Sequence, residues 1–307
     1  MKKFRKSFQR WCARNGMFAS YYIFSHMPYN IFKWFISFFF FIAYKLTKRH
    51  QKVARESLNI AFAKEKTKAE IDSIVEKCFQ GFCRGMMDMI YVLSHRDYIL
   101  KKVNIEGLEN LDKALSRGKG VVAITAHFGN FPLMMLALAL KGYKVHVMMR
   151  HTRDSKVDDF LIKKRNEFGL KTIFTMPRRE SVTKTLRALR ANEIVFILMD
   201  QNFGAQGGVF VDFFGQKAAT ATGPLVLAAR ADAAIVPLFI LSEDEGLYTI
   251  KIEEELKVEQ GKGEEIIYNN TVLVTKKIES YIRQYPHEWG WMHRRWKTRP
   301  QGEEKNA

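Results

Sequence analysis

One segment, Gly120 to Leu140 (GVVAITAHFGNFPLMMLALAL), constrains the fold of this chain more than any other. The residues before His127 are largely β-branched and favour a strand, whereas Leu133 to Leu140 favour a helix. A strand that ends in a histidine and passes at once into a helix presents the imidazole at the carboxyl edge of a sheet. Open α/β sheets usually bind their ligands at that edge, so His127 is the first candidate for a functional residue.

The sequence after this segment alternates between strand and helix patterns. Because strands that alternate with helices usually form βαβ units, the pattern predicts one α/β domain. Its central sheet is expected to be largely parallel and flanked by helices. The predicted strands are 144–149, 171–174, 193–199, 234–241 and 247–252, and the predicted helices are 155–168, 181–190 and one that includes residues 272–282.

The segment 202–233 predicts a Gly-rich loop, a short strand and a helix. The helix is expected to start at Thr220 or Thr222, because a threonine cap followed by Gly223 and Pro224 is a favourable helix start. The free amide groups of such a start form a binding site for an anion.

Apolar residues recur every three or four positions between Lys68 and Leu93, which predicts one long amphipathic helix with a buried stripe. Cys78 lies on this stripe and is expected in the core, because a buried free cysteine behaves as a small hydrophobic residue. The three cysteines are too few and too badly spaced for a disulfide framework, which fits a reducing compartment. The stripe consists of Ile71, Ile74, Val75, Cys78, Phe79, Phe82, Met86, Met89 and Ile90.

The N-terminal part combines positive charge with aromatic residues. The chain carries 50 Lys and Arg against 32 Asp and Glu, a formal charge of +18, and basic clusters flank a Phe-rich stretch. Its most apolar part, Trp34 to Tyr44, is much shorter than the roughly 20 residues of a spanning helix. Residues 1–60 are therefore expected to associate with one leaflet of an anionic membrane, and residues 61–307 to form the main domain. A helix buried in the core and a true span are the alternatives.

A strongly basic chain is also compatible with nucleic-acid binding, which is typically accompanied by aromatic residues interleaved with basic ones. In this chain the aromatic residues gather at 34–44, so nucleic acid is not expected as a partner. The tail at 285–300 alternates Trp with His and Arg, a mixture that suits a membrane headgroup zone or an anion-binding rim.

Further polar residues follow the predicted strands. Arg150 follows the strand after His127, and Asp200 and Gln201 follow a strongly apolar strand. Parallel strands end at the same edge of a sheet, so these side chains are expected to lie together. Arg165 lies at the border of a buried helical stripe. It is interpreted either as an arginine with a packed stem and a solvated head or as an anion clamp.

Several types of site are excluded around His127. No second His, Cys or carboxylate stands at a metal-ligand spacing from it, and the chain lacks a Gly-x-Ser-x-Gly motif. A structural histidine and a general base that removes a proton from a substrate hydroxyl are the interpretations that remain. The strand ends that converge with Arg150, Asp200 and Gln201 favour the general base.

Four ordered blocks resemble the late acyltransferases of lipid A biosynthesis, the lauroyl and myristoyl type within the lysophospholipid acyltransferase superfamily. They are AHFGNF, MMR, MDQ…GVFVDFFGQKAATATGP and EWGWMHRRWK, and the similarity covers nearly the whole chain. The resemblance implies a glycerolipid-acyltransferase-like fold and transfer of a fatty acyl chain from acyl carrier protein, or acyl-CoA, to a hydroxyl of a lipid A precursor. It also implies a place at the cytoplasmic face of the bacterial inner membrane and no metal or bound cofactor.

The sequence departs from this family's pattern at one position. The family motif places Asp or Glu four intervening residues after the histidine, and Pro132 stands there. A proline in the first helical turn after an Asn130 cap is tolerated, so the fold is expected to survive. Three alternatives follow. Asp200 supplies the carboxylate from the neighbouring strand end, His127 works with a backbone carbonyl alone, or the chain is a binding or inactive relative.

The resemblance implies roles for the residues at the sheet edge. His127 removes the proton from the acceptor hydroxyl, which attacks the acyl thioester, and Asp200 stabilises the charged imidazole. The acceptor lipid is alternatively a lysophospholipid, an ornithine lipid or a phosphatidylinositol mannoside. Binding of substrate phosphates or of the oxyanion is assigned to Arg150, Arg165, Asn130, Gly129, Gln201, Thr222 and Gly223.

Overall fold

The computed structural model describes residues 2–62, 65–204, 208–261 and 263–302, so part of the predicted Gly-rich loop, 205–207, lies outside the described residues. The strands are β1 (Val103–Glu106), β2 (Val121–Thr125), β3 (Val145–Met149), β4 (Leu170–Phe174), β5 (Ile194–Leu198), β6 (Gly208–Phe213), β7 (Gln216–Ala221), β8 (Ala234–Ser242) and β9 (Tyr248–Ile252). The helices are α1 (Lys2–Ser25), α2 (Tyr29–Leu46), α3 (Lys48–Phe62), α4 (Lys68–Val92), α5 (Arg96–Lys102), α6 (Leu108–Leu115), α7 (Phe131–Leu140), α8 (Ser155–Glu167), α9 (Arg178–Arg190), α10 (Gly223–Ala231) and α11 (Glu264–Gln284).

A seven-stranded sheet in the order β1-β9-β8-β2-β5-β3-β4 forms the centre of the fold. β8, β2, β5, β3 and β4 run parallel, whereas β9 is antiparallel to β8 and β1 is parallel to β9. The prediction of an α/β fold with a largely parallel central sheet flanked by helices is confirmed. Five strands therefore end at one side of the sheet, which we call the carboxyl edge.

Burial on both faces explains why the strands have continuous apolar sequences. All five residues of β2 are buried. Val121 and Ala123 face a core that includes α7, and Val122 and Ile124 face a second core formed with α9, α10 and α11. The strand that leads to His127 is thus fixed from both sides.

The segment between β5 and α10 contains an antiparallel hairpin, β6–β7, so the prediction of a single short strand is wrong. Phe214 and Gly215 connect the two strands, with φ angles of 53° and 70°. Positive φ at both positions is typical of a type I′ turn, which usually contains Asn-Gly. Phe214 is not a residue that this turn favours. Burial of its side chain and a 2.7 Å hydrogen bond from its amide to Glu279 Oε2 stabilise it in this conformation.

α10 starts at Gly223, as the sequence predicted, with Pro224 in its first turn. Thr222 occupies the N-cap position without a side-chain capping hydrogen bond. Thr220, the other predicted cap, lies inside β7.

The long helix predicted over residues 68–93 is α4, and Cys78 is buried on it as expected. The predicted stripe is wrong in the second half of the helix, where Phe82 and Met86 are 54% and 55% exposed. Beyond Phe79 the helix leaves the main core, and its buried residues there are Met87, Asp88, Tyr91 and Val92. Met87 and Tyr91 pack towards α1 and α2, whereas Val92 packs in the core that includes α7.

The N-terminal helices α1 and α2 pack on α4 through a small aromatic cluster. The ring centroid of Phe32 lies 5.1 Å from that of Phe24 and 4.8 Å from that of Tyr91. Phe32 is the buried residue of α2, so the alternative of a core helix is wrong. In the part of the chain that the structure describes, no helix is both long and apolar enough to span a membrane. Exposed apolar residues of α1 and α2 are Phe8, Trp11, Tyr22, Ile23, Ile31, Trp34, Phe38, Phe39, Phe41, Ile42 and Leu46.

Candidate active site

His127 lies two residues beyond the end of β2, at the carboxyl edge, and the chain then turns into α7. Its side chain is 36% exposed. The ring of Phe131 packs edge-on against the imidazole, with 5.2 Å between the ring centroids. The imidazole is thus supported by protein and still open to a substrate.

Asp200 occupies the corresponding position beyond β5. β2 and β5 pair in parallel, with Thr125 opposite Leu198, so the two strands end at the same level. Asp200 Oδ1 lies 2.9 Å from His127 Nδ1, and Asp200 Oδ2 accepts the backbone N–H of His127 at 2.9 Å. The structure therefore brings together the two residues that the sequence placed at separate strand ends.

Opposing electrostatic effects act on this pair. Burial by itself lowers the pKa of His127 and raises the pKa of Asp200, because both charged forms lose hydration. The attraction between the two groups and their hydrogen bonds outweigh burial. As a result, the pKa of His127 lies above its usual range and the pKa of Asp200 lies below its own. Asp200 is therefore ionised and accepts the Nδ1 hydrogen.

The other ring nitrogen of His127 carries the reactive lone pair. Its Nε2 lies 3.1 Å from the side-chain nitrogen of Gln201, which can only donate. These two partners assign the neutral tautomer with hydrogen on Nδ1. An imidazole in this tautomer has the lone pair at Nε2 that a general base needs.

Gly129 gives the loop after His127 its shape. It has a φ of +54°, and a Cβ at this position would lie 2.2 Å from the carbonyl oxygen of Ile240. Its amide donates to the carbonyl oxygen of Glu288 at 2.8 Å. This bond corrects the expectation that the Gly129 amide serves the oxyanion, because its hydrogen is already used inside the protein.

Asn130 and Pro132 start α7. The Asn130 side chain is buried and makes no capping hydrogen bond, and its nitrogen lies 3.4 Å from the carbonyl oxygen of Gly85 on α4. This contact ties the His127 loop to α4, and a role of Asn130 in substrate binding stays a prediction. Pro132 lies in the first turn of α7, where the sequence predicted that a proline is tolerated.

The two predicted arginines lie on the β3 side of the carboxyl edge. Arg150 is exposed directly after β3, two strands or about 10 Å from the end of β2. Arg165 Nη1 lies 2.9 Å from Met149 Sδ, so its head packs against the last residue of β3. Burial lowers the pKa of the Arg165 guanidinium, and the charge of Asp158 opposes this effect.

The start of α10 also lies at the carboxyl edge. α10 ends just before β8 begins, at the edge opposite to the carboxyl edge. Because α10 runs against the direction of the parallel strands, its first residue, Gly223, lies at the edge where β2 and β5 end. Gly223 is exposed. The structure thus places Thr222 and Gly223 at the same edge of the sheet as His127.

The C-terminal segment, residues 285–300, corrects the expectation of a membrane headgroup zone or an anion-binding rim. Trp289, Trp291 and Trp296 are buried in the main core, and so is Arg295. The tryptophans and the guanidinium of Arg295 are therefore turned into the protein, whereas Arg294 and Lys297 are exposed. The buried side chains of the segment are part of the domain core.

The same segment holds the loop after β5. Arg295 Nη1 donates to the carbonyl oxygens of Gln201 and Ala219, and His293 Nε2 accepts the backbone N–H of Asn202 at 3.0 Å. Trp289 Nε1 donates to Asp200 Oδ2 at 2.8 Å. These roles are not predictable from the sequence, because local spacing gives no signal for a contact between residues 89 positions apart.

Within the described ranges, no group of three or more His, Cys, Asp and Glu side chains is arranged to hold a metal ion.

Comparison with known proteins gives consistent matches. The family model described as bacterial lipid A biosynthesis acyltransferase matches residues 2–298. A lipid A biosynthesis acyltransferase of Haemophilus influenzae is 24% identical over 84% of this chain and 79% of its own length. The lipid A biosynthesis lauroyltransferase of Escherichia coli is 25% identical over 85% of this chain and 83% of its own length.

Among solved structures, the 1-acyl-sn-glycerophosphate acyltransferase of Thermotoga maritima is similar with a TM-score of 0.37 and 14% sequence identity. The match covers 76% of this chain and 97% of that one.

We expect Gly129→Ala to destabilise the protein more than Gly142→Ala. Both glycines have positive φ, which costs an alanine about 1–2 kcal/mol. A Cβ at Gly129 also displaces the Ile240 carbonyl, at a further cost of roughly 1–3 kcal/mol, whereas nothing lies within 4 Å of a Cβ at Gly142. Denaturant unfolding of both variants measures the difference, and equal losses would show that the Ile240 contact does not shape the loop.

Proposed function

The chain belongs to the bacterial lipid A biosynthesis acyltransferase family, and from this membership we propose that it moves a fatty acyl chain from a thioester donor to a hydroxyl of a lipid A precursor. The protein is therefore an acyltransferase. The hydrogen bond between His127 Nδ1 and Asp200 Oδ1 carries the proposal for its mechanism, because it leaves a basic lone pair on Nε2.

In the proposed reaction one proton is transferred twice, first to His127 and then to the leaving thiolate. His127 Nε2 removes the hydrogen of the acceptor hydroxyl, whose oxygen attacks the thioester carbonyl carbon. The tetrahedral intermediate then collapses, so that the new C–O bond is kept and the C–S bond breaks. The imidazolium returns the proton to the departing thiolate, and His127 is neutral again at the end of the cycle.

Asp200 is proposed to supply the carboxylate that the family motif has at the position of Pro132. A carboxylate that accepts the Nδ1 hydrogen fixes the tautomer and stabilises the imidazolium. Asp200 is 2% exposed and ionised, and its contact with His127 is direct. Among the three alternatives, this geometry supports the one in which the acid comes from the neighbouring strand end.

Substrate recognition is proposed for the groups around the pair. The Gln201 amide contacts Nε2, and the acceptor hydroxyl is proposed to take its place. Arg150 and Arg165 are proposed to bind phosphates of the acceptor or of the donor's phosphopantetheine arm. The start of α10 at Thr222 and Gly223 is proposed as the site for a phosphate or the oxyanion.

The donor is proposed to be acyl carrier protein, with acyl-CoA as the alternative. Exposed arginines at the carboxyl edge and the formal charge of +18 favour an acidic partner that carries a phosphate. The arginines in question follow β3 and β4 and are Arg150, Arg153, Arg178 and Arg179.

Residues 1–60 are proposed to associate with the membrane, and residues 61–307 to form the acyltransferase domain. The aromatic outer faces of α1 and α2 and the exposed Phe82 and Met86 of α4 offer a large apolar surface next to basic residues. Such a surface suits insertion into one leaflet of an anionic bilayer. We propose the cytoplasmic face of the bacterial inner membrane, where a glycolipid precursor and an acyl carrier protein are both present.

The proposed reaction is tested in a bacterial strain without its own late acyltransferases. Expression of the chain is expected to add one acyl group to lipid A, and His127→Ala is expected to add none, because the base is missing. Mass spectrometry of the extracted lipids measures both. An acyl group on a different lipid would identify another acceptor, and the absence of any new acylated lipid would contradict the proposal.

We expect Asp200→Asn to lower kcat by as much as about 10⁴-fold and to move the acid limb of the kcat/KM profile to lower pH. The charge of Asp200 raises the pKa of His127, so its removal lets burial lower that pKa and the base stays neutral in more acidic solution.

Asp158→Asn is the matched control, because Asp158 makes an analogous pair with His151 at 2.9 Å. It is expected to leave the acid limb in place. If Asp200→Asn keeps most of the activity and the parent's pH profile, His127 works with a backbone carbonyl alone.

Membrane association predicts that Phe38→Asp together with Phe41→Asp reduces co-sedimentation with vesicles of anionic phospholipid. Both side chains are exposed on α2, so the change removes apolar surface without disturbing the core. Leu273→Asp on α11 is the control, because Leu273 is an exposed apolar residue outside the N-terminal segment. Equal binding by all three proteins would contradict an insertion surface on α2.

A further inference from the structure

Trp289 contacts the proposed catalytic pair through the carboxylate of Asp200. Its indole Nε1 donates to Asp200 Oδ2 at 2.8 Å, and the side chain is 1% exposed. We propose that Trp289 is a positioning residue that holds the Asp200 carboxylate in the orientation in which it serves His127. This inference rests on the proposed function of the pair.

Three donors converge on the one carboxylate. Oδ1 receives the imidazole Nδ1–H of His127, and Oδ2 receives both the backbone N–H of His127 and the indole N–H of Trp289. Rotation of the carboxylate would break all three bonds together. Because the carboxylate is buried, water has little access to replace a lost donor. Each protein donor therefore contributes to the stabilisation of the buried charge.

The backbone around Trp289 is tied to the backbone around His127. Phe128 and Trp289 form an antiparallel bridge, in which Gly129 N–H donates to the Glu288 carbonyl at 2.8 Å. Gly290 N–H donates to the His127 carbonyl at 3.0 Å. The indole and the imidazole therefore lie in a fixed register, on two chain segments that are hydrogen-bonded to each other.

The ring of Trp289 is fixed by its neighbours as well. The indole packs edge-on against Phe213 and Trp291, with centroid distances of 5.7 and 4.6 Å. The Cys78 thiol lies 3.1 Å from the Trp289 carbonyl oxygen, which connects this residue to α4. A ring held in this way has its single N–H aimed in one direction, and that direction is Oδ2 of Asp200.

Two chemical properties of the indole suit it to hold the Asp200 carboxylate. Its N–H is a donor without acceptor capacity and does not ionise at neutral pH, so it stabilises the carboxylate without competing for the proton of His127. The hydrogen bond from Trp289 also lowers the pKa of Asp200. Without it the carboxylate is free to turn away from the imidazole, and a turned carboxylate stabilises the imidazolium less.

Trp289→Phe tests the proposal, because it keeps an aromatic ring and removes the N–H. We expect kcat to fall by about ten- to a hundredfold, the rate equivalent of one hydrogen bond to a charged group. We also expect the acid limb of the kcat/KM profile to move to lower pH, in the same direction as in Asp200→Asn and by less, because a misoriented carboxylate raises the pKa of His127 less. Trp291→Phe is the matched control: Trp291 is buried in the same cluster and donates its N–H to the Pro286 carbonyl.

The control is expected to lose stability without moving the acid limb. The same shift in both variants, or no shift in Trp289→Phe, would overturn the positioning role, because loss of packing alone would then explain the result. Differential scanning fluorimetry of both variants measures whether their folded fractions are comparable.

A second readout is independent of acyl transfer. In ¹H–¹⁵N spectra, the His127 ring titration of Trp289→Phe is expected to move to lower pH, and that of Trp291→Phe is expected to match the parent. If Trp289→Phe does not fold, Asp200→Asn replaces it in this test. The indole N–H resonance of Trp289 is then expected to move and that of Trp291 to stay.

An unmoved Trp289 resonance, or an unmoved His127 titration in a folded Trp289→Phe protein, would overturn the inference. If the parent transfers no acyl group to any lipid, the proposed function fails, and these spectra still decide whether Trp289 acts on the His127–Asp200 pair.

Discussion

The buried carboxylate of Asp200 is the constraint on which this structure depends. An ionised group that is almost fully buried costs a great deal of free energy unless donors surround it. The protein supplies those donors from His127 at the end of β2 and from Trp289 near the C-terminus. Satisfying this one charge therefore requires the sheet, the His127 loop and the C-terminal segment to be assembled together, so the candidate site forms only in the complete fold.

The position of Asp200 also bears on why Pro132 can stand where the family motif has an acid. An acid at position 132 would lie in the first turn of α7, whereas Asp200 lies beyond β5 and is covered by the C-terminal segment. The parallel pairing of β2 with β5 ends both strands at one level, and this makes the proposed exchange of one acid for the other geometrically simple. A proline then costs little at the start of α7, since it lacks only an N–H that the first turn does not use.

α4 connects the two surfaces that the proposed function needs. Its first half is buried in the main core, and its carbonyl at Gly85 lies against Asn130 in the His127 loop. Its second half packs with α1 and α2, whose outer faces expose aromatic side chains. The apolar surface and the candidate site are thus parts of one packed unit, which suits an enzyme whose acceptor is embedded in a bilayer.

The sequence by itself determined the features that depend on local pattern: the α/β class, the strand and helix around His127, and the placement of Asp200 at a neighbouring strand end. Periodicity and the parallel rule suffice for these, because they involve residues close in the chain or equivalent ends of adjacent strands. Only the tertiary structure decided the contacts of Trp289 and Arg295, the use of the Gly129 amide, the hairpin at Phe214 and the exposure of Phe82. The physical reason is that a hydrogen bond across 73 or 89 residues depends on how whole elements pack, and local sequence does not record that packing.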